Sequence, residues 1–351
     1  MSPEDERTRL ELLDQPDSLR KTIENELEKV QRIAEKIEEK KCHRIFIIGM
    51  GSSYSAALMG KTLADRITTM PVEVYRGYEF EFQNPAALST SSCVILISFS
   101  GETEDVVSAL RFAKNRGAYT VSISGPEDNT LAREADDALR IVSRDTKAMI
   151  AAHLTQVALL YLLIGSLAKY RGESTKVDDL RASLTVLIKH LPAVISEEES
   201  TTRQLAQHFR NESIFYVISA GPTYGVAYKL AMTEFTENAW LHGLVQYSTE
   251  FRHGIVEKME ADLPVVFLIG SDDSQKDIRR ELETCRKLKV KTIVWDARDF
   301  PNTDEYLAPF YLSIPANWFV YHLALLKGKA PSSRRYMGSA IPYANMKSLS
   351  S

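Results

Sequence analysis

Short apolar segments that end in small or polar residues alternate along this chain with longer segments of helical spacing. In the first half the apolar segments are RIFIIG, CVILISFS and YTVSISG, and helical spacing follows the first two. In the second half they are SIFYVISAG, PVVFLIGSD and KTIVWD. Strands that are apolar throughout and separated by helices are typical of parallel sheets covered on both faces. The pattern therefore predicts an α/β protein.

Other segments predict further helices and three more strands, of which VEVYR (72–76) and DALRIVS (137–143) are two. Helical spacing with a charged surface covers residues 17–41, and we expect one helix at most in the first 40 residues. The apolar segment 149–170 contains the polar residues His153, Thr155 and Gln156, so it predicts a buried helix rather than a membrane span. FYLSIP (310–315) is predicted to be a strand, with a helix after it.

The two halves of the chain look like two copies of one unit. Each begins with a strand, a glycine and a helix, in FIIGMGSSYSAAL and in YVISAGPTYGVAY. We therefore predict two tandem doubly wound, flavodoxin-like parallel sheets with helices on both faces. The predicted divisions are an N-terminal helical segment (1–40), a first domain (41–175) and a second domain (200–351).

Composition narrows the possible partners and the compartment. The net charge is -4 over 351 residues, and basic residues are interspersed with acids, which argues against a nucleic-acid partner. The three cysteines, Cys42, Cys93 and Cys285, are far apart, as in a reduced cytosolic protein, and Cys93 is predicted to be a core residue. The acidic N-terminus has no apolar signal segment. We expect a cytoplasmic protein without a membrane partner.

Two turns rich in hydroxyl groups follow the first two predicted inner strands. GMGSSYSA and SFSGETED place small and hydroxyl residues between strand and helix: Gly49, Gly51, Ser52 and Ser53 in the first, and Ser98, Ser100, Gly101 and Thr103 in the second. Such residues also serve as ordinary helix caps. Two such turns at neighbouring strand ends favour an anion site instead, because helix N–H groups and hydroxyls donate to phosphate there. Without a nucleotide P-loop lysine, the pattern favours a small phosphorylated sugar.

A second candidate site lies in TEFTENAWLHGLVQYSTEFRHG (233–254). The segment carries six titratable residues of interest: Glu234, Glu237, Glu250, His242, His253 and Arg252. It suits a solvated helix end, a metal site or an acid–base pair. A zinc site is disfavoured, because the two histidines are eleven positions apart and no third histidine or cysteine is near. His242 is predicted to be packed in the core or to support another residue, and no metal is expected.

The hydroxyl turns carry a specific resemblance. GSSYSAA with SFSGETEDVVSAL resembles the sugar isomerase (SIS) domain, which binds phosphosugars, and the isomerase half of glucosamine-6-phosphate synthase is a double copy of it. The resemblance extends over about residues 40–345. It implies that four hydroxyls hold the substrate phosphate, with weaker contacts from three neighbours: Ser53, Ser98, Ser100 and Thr103, then Gly51, Ser52 and Gly101.

The 233–254 segment also resembles this family. In the isomerases a Glu stands sixteen positions before the His of an E-[FL]-[RK]-H-G motif, and here Glu237 stands sixteen before His253 in EFRHG. Together with AGP (220–222), APF (308–310) and RRYMG (334–338), it looks most like the fructoselysine-6-phosphate deglycases. That resemblance implies Glu237 and His253 as the catalytic pair, with Glu250 and Arg252 as supports or weaker substrate contacts.

The deglycase resemblance implies a reaction as well. Those enzymes split 6-phosphorylated Amadori compounds into glucose 6-phosphate and a free amino acid, without a cofactor. In the family the histidine comes from the neighbouring subunit, so a homodimer or higher homo-oligomer is expected, with the active site at the subunit interface.

Two positions depart from the family pattern. Ile255 stands where the motif usually continues with proline, and Ser339 aligns with the Schiff-base lysine of the synthase. The serine argues against a ketose–aldose isomerase or a synthase. The alternatives to a deglycase are a glucosamine-6-phosphate deaminase, another aldose–ketose isomerase and a non-catalytic phosphosugar sensor. A sensor would lack the Glu–His pair or carry a helix–turn–helix segment. The sequence leaves the identity of the released amine open.

Overall fold

The computed structural model describes residues 3–125, 128–143 and 150–336, which form two compact units. One, the first-sheet unit, contains Asp14–Thr185; the other, the second-sheet unit, contains Pro3–Leu13 and Val186–Ser333. The division falls inside one long helix, Lys176–His208. The placement of the domain boundaries at 40/41 and between 175 and 200 stays a proposal.

The first-sheet unit holds a five-stranded parallel sheet with the order β2-β1-β3-β4-β5. Its strands are β1 (Arg44–Gly49), β2 (Val72–Tyr75), β3 (Ser92–Ile97), β4 (Tyr119–Ser124) and β5 (Asp137–Arg140). β3 and β4 are buried along their whole length, as strands covered by helices on both faces must be. This confirms the predicted doubly wound α/β architecture, and Cys93 in β3 is fully buried, as predicted.

The helices of this unit alternate with the strands along the chain. They are α2 (Gln15–Glu39), α3 (Ser52–Ile67), α4 (Gly77–Gln83), α5 (Glu104–Asn115), α6 (Thr130–Glu134), α7 (Ile150–Tyr170) and the start of α8 (Lys176–His208). α7 packs along α2 and α3 and is apolar on every side, as expected of a helix in the middle of a core. Its segment Ala152–Tyr170 has the length and composition of a membrane span, but most of it is buried within the fold.

The second-sheet unit holds a four-stranded parallel sheet with the order β7-β6-β8-β9. Its strands are β6 (Ile214–Ser219), β7 (His242–Tyr247), β8 (Pro264–Ile269) and β9 (Lys291–Asp296). This order repeats the first four strands of the other sheet, β2-β1-β3-β4. The internal duplication that the sequence indicates is therefore present in the topology.

The helices of the second-sheet unit surround a core of large aromatic side chains. They are α1 (Pro3–Leu13), the end of α8, α9 (Tyr224–Lys229), a π-helix (Leu230–Asn238), α10 (Gln275–Lys287) and α11 (Ala308–Leu326). Phe319 of α11 contacts the rings of Phe215 in β6, Phe235 in the π-helix and Trp295 in β9. These ring contacts hold the π-helix against the sheet.

Two predicted elements are wrong. FYLSIP is not a strand, since it lies within α11, where every residue from Ala308 to Ala324 is buried. A helix that is buried all round shows no amphipathic period, so its first apolar residues cannot be distinguished from a strand. The first 40 residues also form two helices rather than one, because Pro16, which is tolerated only in a first turn, starts α2 after Asp14.

Candidate active site

The two hydroxyl turns end adjacent strands at the point where the strand order of the first sheet reverses. β1 lies between β2 and β3, and Gly49 at the end of β1 pairs with Ile97 at the end of β3. In doubly wound sheets, ligands bind at this switch point, outside the carboxyl ends of the strands. The predicted phosphate-binding turns are therefore located where the fold offers a crevice.

Three of the predicted hydroxyls converge in the turn after β3. The Ser98 Oγ lies 2.7 Å from the Thr103 Oγ1 and 3.3 Å from the Ser100 Oγ, and the Ser100 and Thr103 oxygens are 3.5 Å apart. Ser98 is buried and Ser100 is exposed, so the cluster extends from the core to the surface. Each hydroxyl can rotate its hydrogen toward an anion, so the cluster can offer three donors to one phosphate.

Gly101 and Asn129 shape this turn. Gly101 has a φ of 65°, and a Cβ there would stand 1.9 Å from the Asn129 Oδ1. The Asn129 Oδ1 caps α6 by accepting from the Ala132 N–H, and its Nδ2 donates to the Ser124 Oγ. The sequence analysis missed Asn129. An asparagine directly before a helix, following the next strand of the sheet, is the pattern that could have identified it.

Ser53 lies in the first turn of α3, at the end of β1. It is buried, and its Oγ is 3.2 Å from the Nε2 of Gln156, a buried residue of α7. A Cβ on Gly49 would stand 2.7 Å from the backbone carbon of Ser53, so the glycine allows the strand end to approach the helix. In the sequence, Gln156 is distinguished only as a polar residue within an apolar helix. Its contact with Ser53 makes it a further candidate of the site.

Charge distinguishes the two helix starts. The first turn of α3 contains no acidic residue, whereas α5 begins with Glu104 and Asp105. The positive end of a helix dipole attracts anions, and acidic residues in the first turn oppose this attraction. The start of α3, with Gly51 and Ser52, therefore attracts an anion more strongly than the start of α5 does.

The equivalent crevice of the second sheet is occupied by its own carboxylate. Gly221 follows β6, and a Cβ there would stand 2.6 Å from the Asp272 Oδ2. Asp272 follows β8, is buried, and accepts a 2.8 Å hydrogen bond from the Ser274 hydroxyl. A negative charge at this position repels a phosphate. At the second switch point an incoming phosphate therefore meets the Asp272 carboxylate.

Glu237 lies at the end of an unusual helix. After β6 the chain forms a 3₁₀ turn (Gly221–Thr223), then α9, and then the π-helix that carries Glu237, which is half-buried. π-helical turns are rare and occur often at functional sites. The sequence predicts a helix here but not its widened hydrogen-bonding pattern.

His242 is not packed in the core, and the prediction that it is packed is wrong. It is the first residue of β7, an edge strand of the second sheet, and it is exposed. The sequence analysis did not identify β7. A strand at this position is implied by the duplication, because VEVYR follows the first helix of the other unit. Because His242 lies at the start of an edge strand, its side chain is exposed to solvent.

His253 ends a 3₁₀ segment, Ser248–His253, that follows β7. Glu250, Arg252 and His253 are all exposed, and the Arg252 Nε lies 3.4 Å from the His253 Nε2. Ser248 and Phe251 of the same segment are buried and anchor it to the unit. The predicted acid–base residues Glu237 and His253 therefore lie on two different elements, which β7 separates along the chain.

Two further predictions concern a metal site and the C-terminal end of the chain. Among the residues that the structure describes, no three His, Cys, Asp or Glu side chains are grouped to hold a metal ion. Ser339 and the last two residues of RRYMG (337–338) lie outside the described residues.

Comparison with known proteins identifies the first sheet. Residues 40–166 match the family model of the SIS domain. The chain is 28% identical over 324 residues to the fructoselysine 6-phosphate deglycase of Escherichia coli, covering 92% of this chain and 94% of that protein. It is also 28% identical over 315 residues to the fructosamine deglycase of Bacillus subtilis, covering 88% and 95%. The resemblance predicted from the sequence is confirmed.

A solved structure confirms the fold. The C-terminal domain of glucosamine-fructose-6-phosphate aminotransferase from Francisella tularensis superposes with a TM-score of 0.81. The match covers 91% of this chain and 95% of that domain, at 22% sequence identity. The fold of this chain is therefore shared with that domain.

Proposed function

We propose, from the premise that residues 40–166 of this chain are an SIS domain, that the protein is a cofactor-independent deglycase. Its substrate is a 6-phosphorylated Amadori compound such as fructoselysine 6-phosphate, and its products are glucose 6-phosphate and a free amine or amino acid. The observation that carries the proposal is the hydroxyl cluster of Ser98, Ser100 and Thr103 at the switch point. The identity with two named deglycases over most of the chain supports the choice of reaction.

In the proposed mechanism, the phosphate anchors the sugar and Glu237 moves the proton. The substrate phosphate accepts hydrogen bonds from Ser53 and the Ser98 cluster. Glu237 removes a proton from C1 of the open-chain ketoamine, and the C1–H electron pair forms the C1=C2 bond while the C2 oxygen gains a proton. The product of this step is an enaminol.

The second half of the mechanism releases the amine. Protonation of the enaminol at C2 gives the C1=N imine of glucose 6-phosphate, and water adds to C1. The C1–N bond then breaks, and the amine leaves with its electron pair and a proton. His253 assists ring opening and acts as the acid, a role that suits an imidazole near neutral pH.

The proposal includes an oligomer. His253 is exposed, whereas Ser248 and Phe251 of the same segment are buried and fix the segment to its own subunit. The imidazole is therefore free to contribute to the active site of a neighbouring subunit. We therefore propose a homodimer or higher homo-oligomer in which each active site combines Glu237 of one subunit with His253 of another. The protein is proposed to act in the cytoplasm.

One assay tests the reaction. Glucose 6-phosphate release is measured from fructoselysine 6-phosphate and, in parallel, ammonia release from glucosamine 6-phosphate. Activity on the first supports the deglycase, whereas activity on the second alone would identify a deaminase. Glu237→Gln is expected to abolish turnover and leave glucose 6-phosphate binding intact. Glu257→Gln, at an exposed position on the next 3₁₀ turn, serves as the charge-matched control.

A mixing experiment tests the shared site. Glu237→Gln and His253→Asn proteins are each expected to be inactive as pure oligomers. After subunit exchange, a mixed oligomer contains a site with both intact residues, so activity should reappear. If the mixture stays inactive while subunit exchange is demonstrated by native mass spectrometry, the two residues do not act across an interface.

A further inference from the structure

A cavity of about 370 Å³ lies beside the segment that carries His253, within the second-sheet unit. It is formed by the 3₁₀ segment Ser248–His253 and by α10. Its volume is in the range of sites that bind small molecules. The lining residues that bear on its chemistry are Ser248, Phe251, Arg252, Asp277, Arg280 and Glu281.

Glu281 is the buried charged residue of this cavity. Its side chain is 8% exposed, and its Oε1 accepts a 2.7 Å hydrogen bond from the Ser248 hydroxyl. Its Oε2 is buried and has no hydrogen-bond partner among the described residues. Burial raises the pKa of the Glu281 carboxyl to about 7, which reflects how poorly the charged form is compensated. A buried polar atom of this kind needs a donor, and a cationic donor compensates best.

The outer part of the cavity carries charges of both signs. Arg280 is largely exposed, and its Nη1 lies 3.1 Å from the Asp277 Oδ1. Arg252 is exposed and extends from the other wall. Guanidinium groups recognise carboxylates with paired hydrogen bonds, so this end suits a carboxylate. A carboxylate oxygen at the inner end and guanidinium groups at the outer end are complementary to a zwitterion.

We propose that this cavity binds a free amino acid. Its ammonium group pairs with the Glu281 carboxylate, and its carboxylate pairs with Arg280 at the cavity mouth. The assignment rests on the proposed function, because an amino acid is the class of product that the deglycase reaction releases. Arg252, which lines the cavity, directly precedes His253 in the sequence. A bound amino acid therefore restrains the segment that carries the His253 imidazole.

Calorimetric titration of the full-length oligomer with three probes tests the assignment. The probes are L-lysine, 1,5-diaminopentane, which lacks the carboxylate, and hexanoate, which lacks the amines. We expect L-lysine to bind, the diamine to bind more weakly, and hexanoate not to bind. Tight binding of hexanoate, or absence of L-lysine binding at millimolar concentration, would overturn the proposal.

The variant Glu281→Gln and a matched control test where the ammonium group binds. Glu281→Gln keeps an acceptor for Ser248 but presents an amide in place of the charge, and it should weaken L-lysine and the diamine by about tenfold or more. Glu283→Gln removes the same charge from an exposed position of α10, paired with Lys287, and should leave both affinities unchanged. Equal affinities for L-lysine in the unmodified protein, Glu281→Gln and Glu283→Gln would exclude Glu281 as the partner of the ammonium group.

Arg280→Ala gives an independent test, because this side chain is exposed and its loss does not threaten folding. It should weaken L-lysine and leave the diamine unaffected. The deglycase assay separates this proposal from the proposed function. Deglycase activity without L-lysine binding overturns only the cavity assignment, whereas L-lysine binding sensitive to Glu281→Gln in a protein without deglycase activity overturns only the reaction.

Discussion

Lys229 and Glu234 form a buried ion pair in the helical segment that leads to Glu237. The side chains are 5% and 6% exposed, and the Lys229 Nζ also donates to the Asn317 Oδ1 of α11 at 3.1 Å. The two residues are five positions apart. Side chains three and four apart are neighbours on an α-helix, whereas π-helical turns connect residues five apart. The ion pair and the π-helix therefore support each other, and together they set the direction of the turn that ends at Glu237.

Removing one partner of this pair should strongly destabilise the protein. Lys229→Met leaves the Glu234 carboxylate buried without its cation, which costs about 3–5 kcal/mol in the free energy of unfolding. The double variant Lys229→Met/Glu234→Leu should recover most of this loss, because it removes both charges. Urea denaturation measures the three proteins. Met232→Ala, at an exposed position of the same π-helix, is the control. A Lys229→Met protein as stable as the control would contradict the assignment.

The hydroxyl cluster should determine the affinity for phosphosugars. Thr103→Val removes the hydroxyl that lies 2.7 Å from the Ser98 Oγ and keeps the shape of the side chain. Because hydrogen bonds to charged groups contribute about 1.5–3 kcal/mol, we expect glucose 6-phosphate to bind roughly ten- to a hundredfold more weakly. Titration calorimetry checks this. Ser91→Ala, at the opposite end of β3, is the matched control and should bind like the unmodified protein.

Each chain should bind one phosphosugar rather than two, although the fold is duplicated. The second switch point contains the Asp272 carboxylate next to Gly221, where an incoming phosphate meets a like charge. Calorimetry should therefore give one glucose 6-phosphate per chain. The double variant Ser98→Ala/Thr103→Val should lose that binding altogether. A remaining site with unit stoichiometry in the double variant would show that the second crevice also takes the ligand.

The fold and the position of the proposed phosphate site could be predicted from the sequence because both depend on local features. Apolar strands followed by glycine and hydroxyl residues specify parallel strands with anion-binding turns. Strands β1 and β3 then become neighbours by the ordinary rules of doubly wound sheets. Ser53 and Ser98 were predicted in this way as phosphate-binding residues. Gln156 was not, because its proximity to Ser53 depends on how α7 packs, and helix packing is not a local property of the sequence.

The remaining differences have the same origin. FYLSIP has strand-like residues but becomes helical, because tertiary burial of α11 overrides local propensity. The π-helix depends on Lys229, Glu234 and Asn317 together, and Asn317 is distant in sequence. His242 was expected in the core because lone histidines are usually structural, yet an edge strand leaves it exposed. Each of these outcomes is set by contacts between elements rather than within them.

The raised pKa of Glu281 predicts how the stability of the protein depends on pH. Burial raises the pKa of this carboxyl from 4.5 to about 7 in the folded protein. Between these values the folded state holds a proton that the unfolded state has released. The contribution of Glu281 to the free energy of unfolding should therefore fall as pH rises from about 4.5 to 7 and stay constant above that range. Glutamine does not ionise, so Glu281→Gln should lack this decline.

Urea denaturation between pH 5 and 8 measures the effect as the difference between the unmodified protein and Glu281→Gln. The difference is needed because other groups also titrate. Burial raises the pKa of Glu198 to about 7, which acts in the same direction, and lowers the pKa of His322 to about 4, which reduces stability as pH falls below its usual value. Both groups are common to the two proteins. Parallel profiles for the unmodified protein and Glu281→Gln would mean that Glu281 titrates like a solvent-exposed carboxyl, and its burial beside Ser248 would then have no energetic consequence.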